Sequence, residues 1–326
     1  MIDIFLYSFN AIVPILGIIL LGYILKRTDF LSDDFLNVGN RLMFRVCLPC
    51  MLYYNIYSIE SFSVINPEVI WYSIISVFVL FFIGWLSAKL VSDPKQKGVV
   101  HQCAFRSNYA IIGIVLASSL GDEASVAVAS ILSAVAISLF NVLAVISLTM
   151  YEGGGKTDFK KIIIRTLKNP LIISIFMGVA TIGLRNFVPF SIKNDLPAVY
   201  SIISSLAKMA SPLALIVLGG KFTFSASRKL AKQITLATSI RIIIAPLLGL
   251  CGAIILTKMG VLHFTKTEFP ALIALFGTPV AVSSTVMASE MGSDEILAGQ
   301  LVVWTSILSI FTLFVTVSAL RFLGYL

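Results

Sequence analysis

FRSNYAIIG, residues 105 to 113, sets Arg106, Ser107, Asn108 and Tyr109 in the middle of an apolar run, and FGTPV, residues 276 to 280, interrupts a later run with Gly277, Thr278 and Pro279. Proline cannot donate a backbone hydrogen bond, and glycine costs a helix about 1 kcal/mol relative to alanine, so unwinding at the second stretch is inexpensive. Unwound backbone inside lipid is tolerated only where protein or a water-filled cavity surrounds it. Two interrupted helices therefore predict a cavity at mid-bilayer, and the rest of the sequence is read around them.

The lipid setting follows from composition. Of 326 residues, 58% are hydrophobic and 12% charged, where a soluble domain carries about 25% charged residues. The mean hydropathy of +0.98 is spread over the whole length. Apolar segments near 5–25, 35–57, 68–91, 98–120, 123–150, 163–184, 196–220, 231–257, 268–290 and 295–323 each approach the roughly 20 residues needed to cross the hydrocarbon layer. The first of them has no basic region before it and is followed by Lys26 and Arg27, so it reads as a retained helix, not a cleavable signal. The fold class expected is an all-α integral membrane protein with ten transmembrane helices.

Between the fifth and sixth segments, Tyr151 to Lys161 forms the longest polar stretch and contains three consecutive glycines. It divides the chain into residues 1–150, a linker at 151–162, and residues 163–326. Fourteen Lys and Arg fall in the odd-numbered loops against five on the opposite side. The positive-inside rule then places the linker in the cytoplasm and both termini outside, in the cell (inner or plasma) membrane. A net charge of +8 is accounted for in the same way and implies no nucleic-acid partner.

Five helices is an odd number, so the second half enters the membrane in the opposite sense to the first. The halves also share spacing: Asn108 precedes Gly121-Asp122-Glu123 by thirteen residues, and Pro279 precedes Gly292-Ser-Asp-Glu295 by thirteen. The second and seventh segments each carry a central proline, Pro49 and Pro212. Two inverted five-helix repeats are expected, each contributing one interrupted helix. Transporters of that kind bind substrate where the half-helices meet, with helix N-termini offered to anionic groups.

The intramembrane charges point the same way. Arg41, Arg45, Arg106, Lys208 and Arg241 stand within the apolar segments against one carboxylate, Glu290. Charges at helix centres cost about 2.5 to 3.5 kcal/mol on insertion scales and mark function. An excess of cations favours an anionic substrate. Arg41 and Arg241 are expected to snorkel to the cytoplasmic headgroups, while Arg106 sits beside the break. Asn108 and Thr278 are neutral donors for a carboxylate; Ser107, Tyr109, Gly277 and Pro279 complete the expected binding set, with Glu290, Lys208, Arg45 and Pro49 in coupling or supporting roles. Cys47-Leu-Pro-Cys50 lies in an apolar helix outside any βαβ context, and Lys208 with its neighbouring serines reads as packing, so no enzyme is expected. With two histidines, His101 and His263, both near loops, neither a metal site nor a cofactor is expected.

FRSNYAIIG (105 to 113), NPLIISIFMG (169 to 178), SPLALIVLGGKF (211 to 222) and TPVAVSSTVMASEMGSDEILAGQLVVWTSILS (278 to 309) resemble the auxin efflux carrier family, whose bacterial members include malonate and malate permeases. The resemblance spans nearly the whole chain. It implies ten helices in two inverted repeats, with the fourth and ninth broken and crossing at the substrate site. It also implies a scaffold that forms a homodimer and a second subdomain that moves, by rocking or as an elevator. Asn108 matches the family's crossover asparagine, Pro279 the crossover proline of the ninth helix, and Glu290 the acidic position after it. Ser107 stands where plant members carry a proline, and their long cytoplasmic loop is missing.

The expected function is secondary transport of a small organic anion such as malonate, malate or an auxin-like acid. Moving one charge through 100 mV is worth about 2.3 kcal/mol, so a negative-inside potential expels anions unaided and export is favoured. Proton- or sodium-coupled dicarboxylate uptake and an anion channel are the alternatives.

Overall fold

Helix starts in this chain are written by short polar side chains. Ser32, Asn66, Asp93, Asp122 and Asp294 each accept a hydrogen bond from a backbone N–H in the first turn of the helix that follows, which satisfies donors that a helix N-terminus otherwise leaves open. At Asp122 the Ser125 amide, followed by the Ser125 hydroxyl, holds the carboxyl below its usual range. The Gly-Asp-Glu and Gly-Ser-Asp-Glu punctuation after the interrupted segments thus contains an N-cap: Asp122 opens one long helix and Asp294 the other.

The computed structural model describes residues 2–59, 66–152, 159–185 and 191–326, and the glycine tract of the linker lies outside them. Every apolar segment read from hydropathy falls on helix. In chain order these are α1 (Ile2–Arg27), then α2, which runs as Asp33–Leu42, a π-turn at Met43–Cys47 and Leu48–Tyr57, and α3 (Pro67–Ala88). The fourth segment is α4 (Pro94–Phe105) and α5 (Tyr109–Leu120). Next come α6 (Glu123–Met150), α7 (Phe159–Leu167), α8 (Pro170–Arg185) and α9 (Pro197–Lys221). The chain finishes with α10 (Ala231–Lys258), α11 (Phe269–Gly277), α12 (Ser283–Glu290) and α13 (Glu295–Phe322). Among the described residues there is no strand; one antiparallel bridge joins Ser107 to Val280.

Among the described residues five of these helices, α3, α6, α9, α10 and α13, are individually long and apolar enough to cross a bilayer. The two central prolines behave differently. Pro212 leaves α9 continuous. In α2 the turn before Pro49 widens to π geometry, with the Leu48 N–H reaching the Met43 carbonyl; a proline ring crowds the preceding turn, and a π-turn absorbs the mismatch.

Packing gathers α1, α2, α8 and α9 on one side, with α3, α4, α6, α10 and the short helices α5 and α11 on the other, while α12 and α13 touch both. The backbones of α1 and α9 come close together. A Cβ on Gly22 would collide with the Ile216 carbonyl, and one on Gly219 with the Ile19 carbonyl. Such reciprocal glycines let two backbones approach where lipid supplies no hydrophobic drive. Gly219→Val should therefore lower the melting temperature in detergent by roughly 5 °C or more, since overpacking a tight contact costs about 1–3 kcal/mol. Gly17→Val on the same α1 helix, where a Cβ meets nothing within 4 Å, should leave it unchanged.

Candidate functional site

Two helices stop in mid-run, and their loose ends join. After Phe105, Arg106 takes an extended conformation (φ −81°, ψ 111°). After Gly277, Thr278 does the same (φ −75°, ψ 153°), as the residue before a proline must when the ring excludes the helical region. The fourth segment thus breaks without a proline, with Ser107 in that place. What replaces the lost helical bonds is the other break: the Asn108 N–H donates to the Pro279 carbonyl at 2.8 Å, and Ser107 pairs with Val280. The Val280 N–H donates to Thr305 Oγ1 of α13 at 3.1 Å.

Behind this junction lies Arg241 of α10. Its Nε donates to the Thr278 carbonyl (3.0 Å), Nη1 to Phe105 (3.1 Å), and Nη2 to Leu275 (2.9 Å) and Phe276 (2.8 Å). One guanidinium therefore closes the C-terminal ends of both α4 and α11, where orphan carbonyls and the negative pole of each helix gather. The expectation that Arg241 snorkels to the headgroups is corrected: it is 0% exposed. It stands ten residues into its helix, about 15 Å along the axis, so mid-bilayer depth was its signal.

Arg106 is 2% exposed and organises the opposite face. Its Nη2 donates to Asn141 Oδ1 of α6 and to Ser283 Oγ at the start of α12, both at 2.8 Å, and its Nη1 contacts Met287 Sδ at 2.6 Å and Gln102 Oε1 at 3.5 Å. Among the described residues neither buried guanidinium has a carboxylate partner. Asn141 was not anticipated, though an asparagine in the middle of the apolar Glu123–Met150 run is itself a signal.

A narrow cavity of about 30 Å³ opens beside the junction. Arg106, Ser107, Asn108, Asn141, Ser211 and Ser283 supply its polar wall; α2, α6 and α9 contribute Leu48, Met51, Phe140 and Ala210 among others. Ser107 Oγ and Asn108 Nδ2 are buried and have no hydrogen-bond partner, a condition that costs about 1–3 kcal/mol per group unless something binds there. The starts of α5 and α12 also border this space, at Ala110 and Ser283.

The remaining expected residues are distributed as follows. Tyr109 is buried, with its hydroxyl unpartnered, but is not in the cavity wall. Thr278, Pro279 and Gly277 belong to the junction: the Thr278 hydroxyl turns back to the Ala274 carbonyl (2.8 Å), and a Cβ on Gly277 would meet Leu313 of α13. Glu290, at the far end of α12, accepts from Asn40 Nδ2 of α2 at 2.9 Å. Lys208 and Arg45 are exposed on α9 and α2, and Pro49 follows the π-turn; none of the three lines the cavity. No group of three metal-ligating side chains occurs among the described residues.

An all-helical bundle with membrane-length helices and two interrupted helices joined beside a cavity has the parts of a membrane transporter. Residues 7–317 match the family described as membrane transport protein, and the chain belongs to that auxin efflux carrier-like family, whose members are transporters and not enzymes. It is 23% identical over 315 residues to an uncharacterized transporter of Methanothermobacter thermautotrophicus, a similarity covering 95% of this chain and 97% of that relative.

The Arg106 network makes a direct prediction. Asn141→Leu leaves a buried guanidinium short of an acceptor and should cost about 1–3 kcal/mol of stability, read by thermal or denaturant unfolding. Ser138→Ala, one turn away, where the hydroxyl bonds only the Ala134 carbonyl of its own helix, should cost little.

Proposed function

We propose that the chain carries small organic anions, carboxylates such as malonate, malate or auxin-like acids, through the cavity beside the α4/α5 and α11/α12 junction, by alternating access. The observation that carries this reading is the pair of buried, unpartnered groups Ser107 Oγ and Asn108 Nδ2 beside a guanidinium that has no carboxylate among the described residues. The amide can donate to an anion, the hydroxyl can rotate to do the same, and Arg106 supplies positive potential without being consumed in an ion pair. The starts of α5 and α12 add the positive ends of two helix dipoles. In this reading the chain is two inverted five-helix repeats, ten spans in all, in which the broken helices cross at the site and the termini are extracytoplasmic.

Potential-driven export is the direction this reading favours. Among the described residues no Asp, Glu or His lies in the cavity wall, and Glu290 is engaged by Asn40, so no described carboxylate of the cavity is placed to carry a proton with the substrate. A negative-inside potential then acts on the substrate's own charge.

The test is counterflow in proteoliposomes with radiolabelled malonate and malate. Saturable exchange, accelerated outward by an inside-negative potential, is expected. Linear, non-saturating flux would indicate a channel, and uptake that needs a proton or sodium gradient would overturn the export reading. Asn108→Ala should abolish exchange while the protein remains folded and monodisperse; wild-type rates in that variant would remove Asn108 from the site.

A further inference from the structure

The ends of two half-helices inside a membrane expose carbonyl oxygens and two negative dipole poles, a donor set with which broken-helix transporters coordinate a coupling cation. Here that donor set is already filled. The carbonyls of Phe105, Leu275, Phe276 and Thr278 converge on the Arg241 guanidinium at 2.8 to 3.1 Å, and the Thr278 hydroxyl is turned to Ala274. The guanidinium is fully buried, is permanently charged, and has no carboxylate of its own among the described residues.

We propose that Arg241 is a tethered cation occupying the carbonyl cage at the helix junction, the position a mobile coupling ion would otherwise take. The proposal deepens the transport reading above and rests on it for its functional meaning, though the cage itself is a matter of this chain's own bonds. A covalently held cation cannot cross with the substrate. No ion is then bound or released at this cage during a cycle, and the charge moved is that of the substrate alone. The same bond set makes Arg241 the positioning residue for Ser107 and Asn108: it fixes the ends of α4 and α11, from which the junction departs. Lysine cannot substitute fully, because a compact ammonium has three donors where the planar guanidinium has five in a fixed fork.

The experiment uses purified full-length protein and needs no substrate. Melting temperatures of wild type, Arg241→Lys and Arg241→Ala are measured at equal ionic strength in choline, sodium and sub-denaturing guanidinium chloride. Wild type should melt at the same temperature in sodium and choline and gain nothing from guanidinium. Arg241→Ala should melt lower by roughly 5–10 °C and recover part of that loss, saturably, in guanidinium or sodium, because the emptied cage then accepts a free cation. Arg241→Lys should fall between the two. Sodium-specific stabilisation of the wild type would overturn the proposal, as would an Arg241→Ala protein that melts like wild type or that no cation rescues. Should Arg241→Ala not fold, Arg241→Gln carries the same comparison: with no tethered charge in the cage, it must gain from guanidinium where the wild type does not. A final arm repeats the malonate counterflow with choline replacing sodium on both sides; unchanged exchange is expected and loss of exchange would refute the tethered-cation role. Absence of malonate exchange in both salts refutes the substrate reading instead and leaves the melting results to decide the cage.

Discussion

Four backbone carbonyls at the ends of two helices, and one buried guanidinium with donors enough to meet them, form the interaction on which the rest of this structure depends. A helix that ends in a membrane interior strands its last carbonyls where no water can reach them, at several kcal/mol each. A buried arginine without a counter-ion is equally unfavourable. Arg241 and the ends of α4 and α11 resolve both problems at once, and neither partner is stable there without the other. The Asn108–Pro279 hydrogen bond and the Ser107–Val280 bridge then follow from two chain ends held side by side.

The electrostatic pattern has two faces. On one, helix C-termini surround a cation; on the other, the starts of α5 and α12 and the Arg106 side chain face the cavity. Arg106 is held by neutral acceptors, an asparagine, a serine, a glutamine and a thioether. Neutral acceptors fix its direction without cancelling its charge. Positive potential thus remains in the cavity at a place where three chain segments, α4, α6 and α12, meet.

Much of this was legible in the chain itself. The apolar segments, the interruptions at FRSNYAIIG and FGTPV, and the Gly-Asp-Glu and Gly-Ser-Asp-Glu signals that contain the N-caps Asp122 and Asp294 were visible because each departs from a long apolar background. What was hidden was rotational phase. Helical periodicity predicts which side chains share a face only while the helix continues, and an unwound stretch resets it. Thr278, a natural donor on paper, has its hydroxyl on Ala274, whereas Ser283, five residues on, reaches both Arg106 and the cavity. Arg241 was misread for a related reason: a charge near a helix end and a charge facing a neighbouring helix look alike until depth is counted. Ser107 in place of a proline left the fourth break open, and the partner break, not a local residue, supplies its geometry.

The most direct measurement is a cross-link across the junction. With the four native cysteines replaced, a Ser107→Cys and Val280→Cys pair is oxidised in native membranes, and the chain is then cut at a protease site placed in the glycine tract between the halves. Opposed residues on an antiparallel bridge lie within disulfide reach or nearly so. The expected result is that the two halves stay joined on a non-reducing gel and separate on reduction, with Ser107→Cys paired to a cysteine at Leu323 as an unjoined control. Halves that separate without reduction, under conditions where a pair across the Gly22 and Ile216 contact does join, would contradict the meeting of the two breaks.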